Sequence, residues 1–212
     1  QSSTFVKTSQ PFVIYYRSGS CIGYIATDVL NLAGLVYPTQ GLGVATYIFG
    51  EQPVDATMTS WMKLYSGILG LGWPALAEDN VVPPLQNLLD LLDQPIFTVW
   101  LDRHVKPQED KLGGLITYGA LDNVNCDAQV DYVTLSSKTY WQFPMTSFSV
   151  GTYNSNTKEE VISDTGTSWI GAPANAVQGI VKATGAKYDI FNQLYTVPCT
   201  GNYPDMIFTI GG

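Results

Sequence analysis

An all-β fold is what this sequence predicts, and three features point that way. Charged residues make up only 13% of the 212, while 45% are hydrophobic and 12% aromatic, a profile short of the Lys and Glu that cover long exposed helices. The 20 Gly and 12 Pro are spread along the chain rather than clustered, as many short strands joined by turns require. Over the first 50 residues apolar and polar positions alternate, which is the period of a half-buried strand.

The elements follow in order. Phe12–Tyr16, the turn residues Arg17-Ser18-Gly19-Ser20 and then Ile22–Ile25 read as strand, turn, strand. A helix is expected over Pro83–Asp93, where Leu85, Leu88, Leu89 and Leu92 recur at helical spacing between Pro84 and Pro95. Its leucines should face a core. Short strands are expected at Phe97–Leu101, Leu115–Tyr118 and Val130–Leu135, each bounded by Gly, Pro, Asn or Asp. A second helix is expected over Pro173–Thr184, burying Ala174, Val177, Ile180 and Val181 and closing on Gly185 as a left-handed cap. No low-complexity linker or tandem repeat interrupts the pattern.

Charge and cysteine usage exclude several functions. Ten Lys and Arg against 18 Asp and Glu give a net charge of -8, so nucleic acid would be repelled. No run of about 18 apolar residues is present, and Gln1-Ser2-Ser3-Thr4 lacks the basic and apolar parts of a signal peptide. Cys21, Cys126 and Cys199 are too few and too dispersed for a zinc site, and His104 stands alone. Neither a metal nor another cofactor is expected.

The stretch that carries chemistry is Val161-Ile162-Ser163-Asp164-Thr165-Gly166-Thr167-Ser168-Trp169-Ile170. An apolar strand runs into Asp-Thr-Gly, and small hydroxyl residues follow. An Asp on such a tight turn presents its carboxylate where backbone N–H groups and hydroxyls can hold it, ready to act as a general base towards water. A bare Asp-Thr-Gly is also an ordinary turn sequence. Context decides between the two.

Over its whole length, with Gly171 and Pro173 after it, this decapeptide resembles the second catalytic motif of pepsin-like aspartic peptidases. Other segments resemble the family in the same order. Gln1–Phe5 resembles the strand before the flap, Tyr16–Ser20 the flap, and Tyr65–Gly72 the first hydrophobic-hydrophobic-Gly element. Gly113–Asp122 resembles the strand leading between lobes, and Tyr140–Phe143 a cleft-lining segment of the second lobe. The phrasing around Asn125-Cys126 and Ile162-Ser163-Asp164 is most similar to nematode members.

The resemblance implies an all-β, two-lobed pepsin-like acid protease fold. Residues 1–122 would be a first-lobe remnant and 123–212 the beginning of the second lobe, with the chain incomplete at both ends. Family members use two Asp-Thr/Ser-Gly loops, whereas this sequence contains one, at Asp164. The implied mechanism needs two carboxylates sharing one proton, because like charges so close cannot both ionise.

Residue by residue, the resemblance makes Asp164 catalytic, with Thr165, Gly166, Thr167 and Ser168 supporting it. Tyr16 and Ser18 belong to the flap, although Arg17 replaces the usual glycine between them. Tyr65, Ile68, Tyr140 and Ile162 line subsites; for Ile68 and Ile162 core packing is a competing reading. Cys199 resembles a second-lobe cysteine that pairs with one further along. Cys21 and Cys126 are open between pairing with each other, pairing elsewhere, or remaining thiols.

The function implied is an aspartic endopeptidase acting on polypeptide substrates at acidic pH. A zymogen, a disulfide, a secreted or lysosomal location and a monomeric state accompany it. The main rival is a catalytically inactive binding protein of the same fold. A carbohydrate-binding β-sandwich with Trp61, Trp73 and Trp141 as sugar platforms leaves the ordered motifs unexplained.

Overall fold

The structure, a computed structural model, describes residues 2–16, 19–49, 67–102 and 112–211. Arg17, Ser18, Trp61, Tyr65, Ser66 and His104 lie outside the described residues. Strands outnumber α-helices twelve to two among those described, as the composition requires. The described residues fall into two compact units, one running up to residue 131 and the other from 132 onward.

The first unit begins with a three-stranded antiparallel sheet of β1 (Val6–Tyr16), β2 (Gly19–Leu32) and β3 (Leu35–Phe49) in the order β1-β2-β3. Tyr16 pairs with Gly19, so the expected strand, turn, strand is present, and both strands run on past its predicted ends. Between β2 and β3 the chain reverses at Ala33 and Gly34, with φ 52° and 90°, the doubly left-handed turn whose twist suits a tight hairpin. Ser2–Phe5 is not a strand. Asp28 accepts hydrogen bonds from Ser2 Oγ at 2.9 Å and Thr4 Oγ1 at 2.5 Å, which pins those residues in a turn before β1.

Helix α1 covers only Pro84–Leu88 and tightens into a 3-10 turn at Leu89–Leu91, shorter than the leucine spacing predicts. Leu85 and Leu88 are buried with Ile25 and Ala26. Beside them the buried Gln40 side chain ties α1 to β3: its Nε2 donates to Gly41 O at 2.8 Å and Val82 O at 2.9 Å, and its Oε1 accepts from Asn87 Nδ2 at 2.9 Å. A buried amide is tolerated when its donors and acceptor are so occupied. Strands β4 (Phe97–Leu101) and β5 (Gly114–Tyr118) pair antiparallel where the sequence places them.

Val130–Leu135, expected as a strand, belongs to no ladder. Its alternation marks extended chain, but pairing starts only at β6 (Ser137–Lys138), which is joined by the turn Thr139-Tyr140 to β7 (Trp141–Val150).

Strand β7 organises the second unit. Along one edge it pairs with β8 (Tyr153–Ser155) and then β9 (Glu159–Ile162); along the other it pairs with β12 (Met206–Ile210) and β6. Ser147 pairs with Thr209 and Met145 with Ile210, so Thr146 is an extra residue, a β-bulge. Alternation alone would send Met145 and Phe148 to opposite faces; the bulge brings both inward with Val150. Thr146 Oγ1 bonds Thr209 O at 3.2 Å and Ser147 Oγ bonds Thr209 Oγ1 at 2.7 Å, holding the irregular point closed.

Helix α2 (Ala174–Thr184) packs on this core, with Pro173 before it and Gly185 after it at φ 68°, its N–H on Val181 O. Both ends agree with expectation. The inward stripe differs: Ala174 is exposed, while Ala176, Ile180 and Ala183 reach the Met145–Phe148–Val150 cluster. Gly179 is the buried residue of the helix because Tyr153 lies flat against it; a Cβ there would sit 2.4 Å from Tyr153 Cγ. Beyond the helix, β10 (Lys187–Asp189) and β11 (Leu194–Thr196) form a small hairpin.

Each unit holds the same carboxylate-locked turn. Asp122 Oδ1 accepts the N–H groups of Val124 and Asn125, and its Oδ2 accepts Asn125 Nδ2. Asp189 repeats this with Phe191, Asn192 and Asn192 Nδ2. These bonds, the Asn amide first, hold both carboxyls below their ordinary range. The three cysteines are free thiols, so Cys21 and Cys126 do not pair with each other. Among the described residues no helix is long and apolar enough to cross a membrane.

Two outcomes are expected for the intact protein. A carboxyl more acidic in the folded than in the unfolded state stabilises the fold above the ordinary carboxylate range, and that contribution is lost as pH falls through the folded value. Asp122→Asn with Asp189→Asn should therefore lower the urea midpoint at neutral pH, with the gap to wild type closing in acid. Gly179→Ala should destabilise by about 1–3 kcal/mol in equilibrium unfolding, as overpacking does.

Candidate active site

The Asp-Thr-Gly segment starts where β9 stops. Gln142 of β7 pairs with Ile162, and one step on Ser163 N donates to Trp141 O at 3.0 Å, the last rung of that edge. The chain then turns: Thr167 N bonds Asp164 O at 3.3 Å, closing four residues into a loop. Within it the carboxylate is gripped by its own motif. Oδ1 accepts Gly166 N–H at 2.9 Å and Oδ2 accepts Thr167 Oγ1 at 2.6 Å. A Cβ on residue 166 would lie 3.2 Å from Oδ1, so glycine leaves that oxygen room to approach the backbone. Both oxygens thus have a fixed donor, and the carboxylate is exposed to the solvent that would supply a water.

Extending the register past Trp141 and Ser163 sets Tyr140, at the β6–β7 turn, opposite Asp164. Tyr140 is 50% exposed and Ile162, two residues before the aspartate, 47%. Asp164, Thr165, Gly166, Thr167, Ser168, Tyr140 and Ile162 therefore share one end of one sheet. Trp169 and Ile170, just beyond, are also exposed.

In the first unit Tyr16 ends β1, half in solvent; partial burial pushes its phenol up, and Cys21 nearby adds to this. Ile68 is 73% exposed in a stretch without regular structure. For Ile68 and Ile162, exposure removes the competing core reading. Ser18 and Tyr65 are outside the described residues.

Sequence reasoning missed what steadies this sheet end. Gln142 Nε2 donates to Ser136 Oγ at 3.2 Å and to Glu160 Oε2 at 3.4 Å, and Ser136 Oγ also donates to Glu160. Ser136 first, then Gln142 and Lys158, hold the Glu160 carboxyl below its ordinary range. Gln142 was visible within a cleft-lining segment, but nothing in a sequence gives the register that sets it beside Ser136 and Glu160.

Residues 1–212 match the family described as eukaryotic aspartyl protease. The chain belongs to that family. As a eukaryotic aspartyl protease family member it is 56% identical over 219 residues to aspartic protease 1 of Caenorhabditis elegans, covering all of this chain and 52% of that protein. It is 46% identical over 218 residues to aspartic protease 17 of the same nematode, with 100% and 53% covered. Cathepsin D of Canis lupus familiaris is 33% identical over 224 residues, again with 100% and 53% covered. The lean towards nematode members read from the motifs is thus present in the identities. The chain spans about half the length of the curated relatives it matches.

For this aspartyl protease family member, Thr167→Val in the intact protein should lower kcat/KM between about tenfold and a hundredfold, the worth of a hydrogen bond to a charged group. Thr167→Ser should restore most of it. Steady-state kinetics with circular dichroism of each variant checks both.

Proposed function

We propose that the intact protein is an aspartic endopeptidase that hydrolyses peptide bonds of polypeptides at acidic pH, with Asp164 as one of two catalytic carboxylates. The observation that carries this is the clamp on Asp164, one oxygen on a backbone N–H and the other on a hydroxyl, at an exposed sheet end. A second carboxylate from elsewhere in the intact protein would complete the pair. The printed names of the relatives are those of proteases, which favours the enzyme over an inactive binding protein.

The chemistry follows from one shared proton. Two carboxyls in contact cannot both be ionised, so one is charged and the other neutral in the working range. Water between them gives a proton to the charged group as its oxygen bonds the peptide carbon, while the neutral group gives its proton to the carbonyl oxygen. A tetrahedral diol results. Its collapse breaks the C–N bond as a carboxyl proton moves to the leaving nitrogen. No covalent enzyme intermediate forms, which suits a site without a Ser, Cys or His nucleophile.

Tyr16 and Ser18 act as the flap over the substrate, Thr165–Ser168 shape the turn, and Tyr65, Ile68, Tyr140 and Ile162 offer apolar contact. An extended substrate with bulky apolar side chains near the cut fits such contacts. We place the protein, as a monomer made from a zymogen, on the secretory or lysosomal route, where an acidic medium meets the proton requirement.

Asp164→Asn tests the reading directly, since it preserves shape and the Gly166 contact but removes the charge. Turnover should fall by several orders of magnitude with the fold intact. Wild-type turnover in that variant would remove Asp164 from the mechanism.

A further inference from the structure

One surface of the first unit is unlike the rest. In β1, β2 and β3 the pairs Val13↔Ile22↔Tyr47 and Tyr15↔Ser20↔Phe49 are in unbroken register, which sets Val13, Tyr15, Ile22, Tyr47 and Phe49 on one face. All five are exposed, Tyr15 at 79% and Tyr47 at 66%. The Tyr47 and Phe49 rings stack with centroids 6.5 Å apart. Tyr16 and Cys21 lie on the opposite face, so this is the back of the hairpin that carries Tyr16.

The strands also lack the usual guards of an open sheet. Between Thr8 and Phe49 the only charged residues are Arg17 and Asp28, and Asp28 is held at the far end by Ser2 and Thr4. β3 is the terminal strand of its sheet, so one edge of residues 44–49 has no strand partner among the described residues. Exposed edges are normally blunted by Lys, Pro or bulges, and residues 44–49 contain no Lys and no Pro. An apolar face of this kind on a soluble protein marks a site of contact.

We propose that this face binds an apolar, extended segment of polypeptide substrate outside the cleft. The proposal rests on the peptidase reading and extends its substrate class to long unfolded chains. The chemistry selects polypeptide over lipid. An extended chain can satisfy the open N–H and C=O groups of β3 while its side chains lie on the tyrosines and phenylalanine. In hydrocarbon those backbone groups would be left without partners. An anionic headgroup would also find little to bind, since Lys7, the nearest described cation in sequence, lies over the Tyr24 ring at 4.1 Å.

The test compares two substrates of the intact protein: a short peptide confined to the cleft and a reduced, carboxymethylated protein chain that extends beyond it. Tyr15→Ser with Tyr47→Ser should raise KM for the long chain about tenfold, the cost of losing aromatic anchors, with kcat unchanged. Both parameters for the short peptide should stay at wild-type values. Equal losses on the two substrates, or no change on either, would overturn the proposal. So would a wild-type protein that dimerises through this face in sedimentation while the variant does not. If the double variant fails to fold, Tyr15→Ser alone carries the comparison. If wild type cleaves neither substrate the peptidase reading fails on its own; binding of the labelled unfolded chain, measured by fluorescence anisotropy, then decides, with about tenfold weakening expected and equal affinity overturning.

Discussion

Asp164 is placed by the end of a ladder. β7 and β9 pair from Met145 and Glu159 to Gln142 and Ile162, with Ser163 N on Trp141 O as the final rung, and only then is the chain free to turn. A register slip of one residue would reverse which face every β9 side chain occupies and carry the aspartate away from Tyr140. That register is secured from both sides: by Ser136, Gln142 and Glu160 near the site, and by Met145, Phe148 and Val150 under α2. Packing far from the carboxylate therefore acts on its position.

The carboxylates share a second constraint. Acidic groups outnumber basic ones by 18 to ten, and several take hydrogen bonds from backbone N–H, hydroxyl or amide donors. Asp28 is served by Thr4, Ser2 and Val29, with Thr4 the largest influence, and its carboxyl too lies below the ordinary range. Such donors do not titrate. A carboxylate held this way keeps its charge further into acid than a solvated one, which suits a fold proposed to work there.

Much of this was legible because the local signals agree with the final fold. Pro173 and Gly185 bracket α2 through fixed φ and a left-handed cap, and β4 sits where its turn residues place it. What escaped depended on distant partners. Val130–Leu135 alternates like a strand but has no ladder. The bulge at Thr146 reverses inward and outward along β7, and Gly179 is buried because Tyr153 lies on it. No periodicity encodes either contact. At the site the motif identified Asp164 and its Thr167 donor, whereas the role of Gln142 and the nearness of Tyr140 came only with register.

The central claim is that Asp164 works as half of a carboxylate pair sharing one proton. The dependence of kcat/KM on pH in the intact wild-type protein tests it most directly, because the two limbs report the free enzyme's acid and base. The account predicts a bell with both limbs on the acidic side of neutrality. A profile governed by a single ionisation near or above neutrality would contradict it.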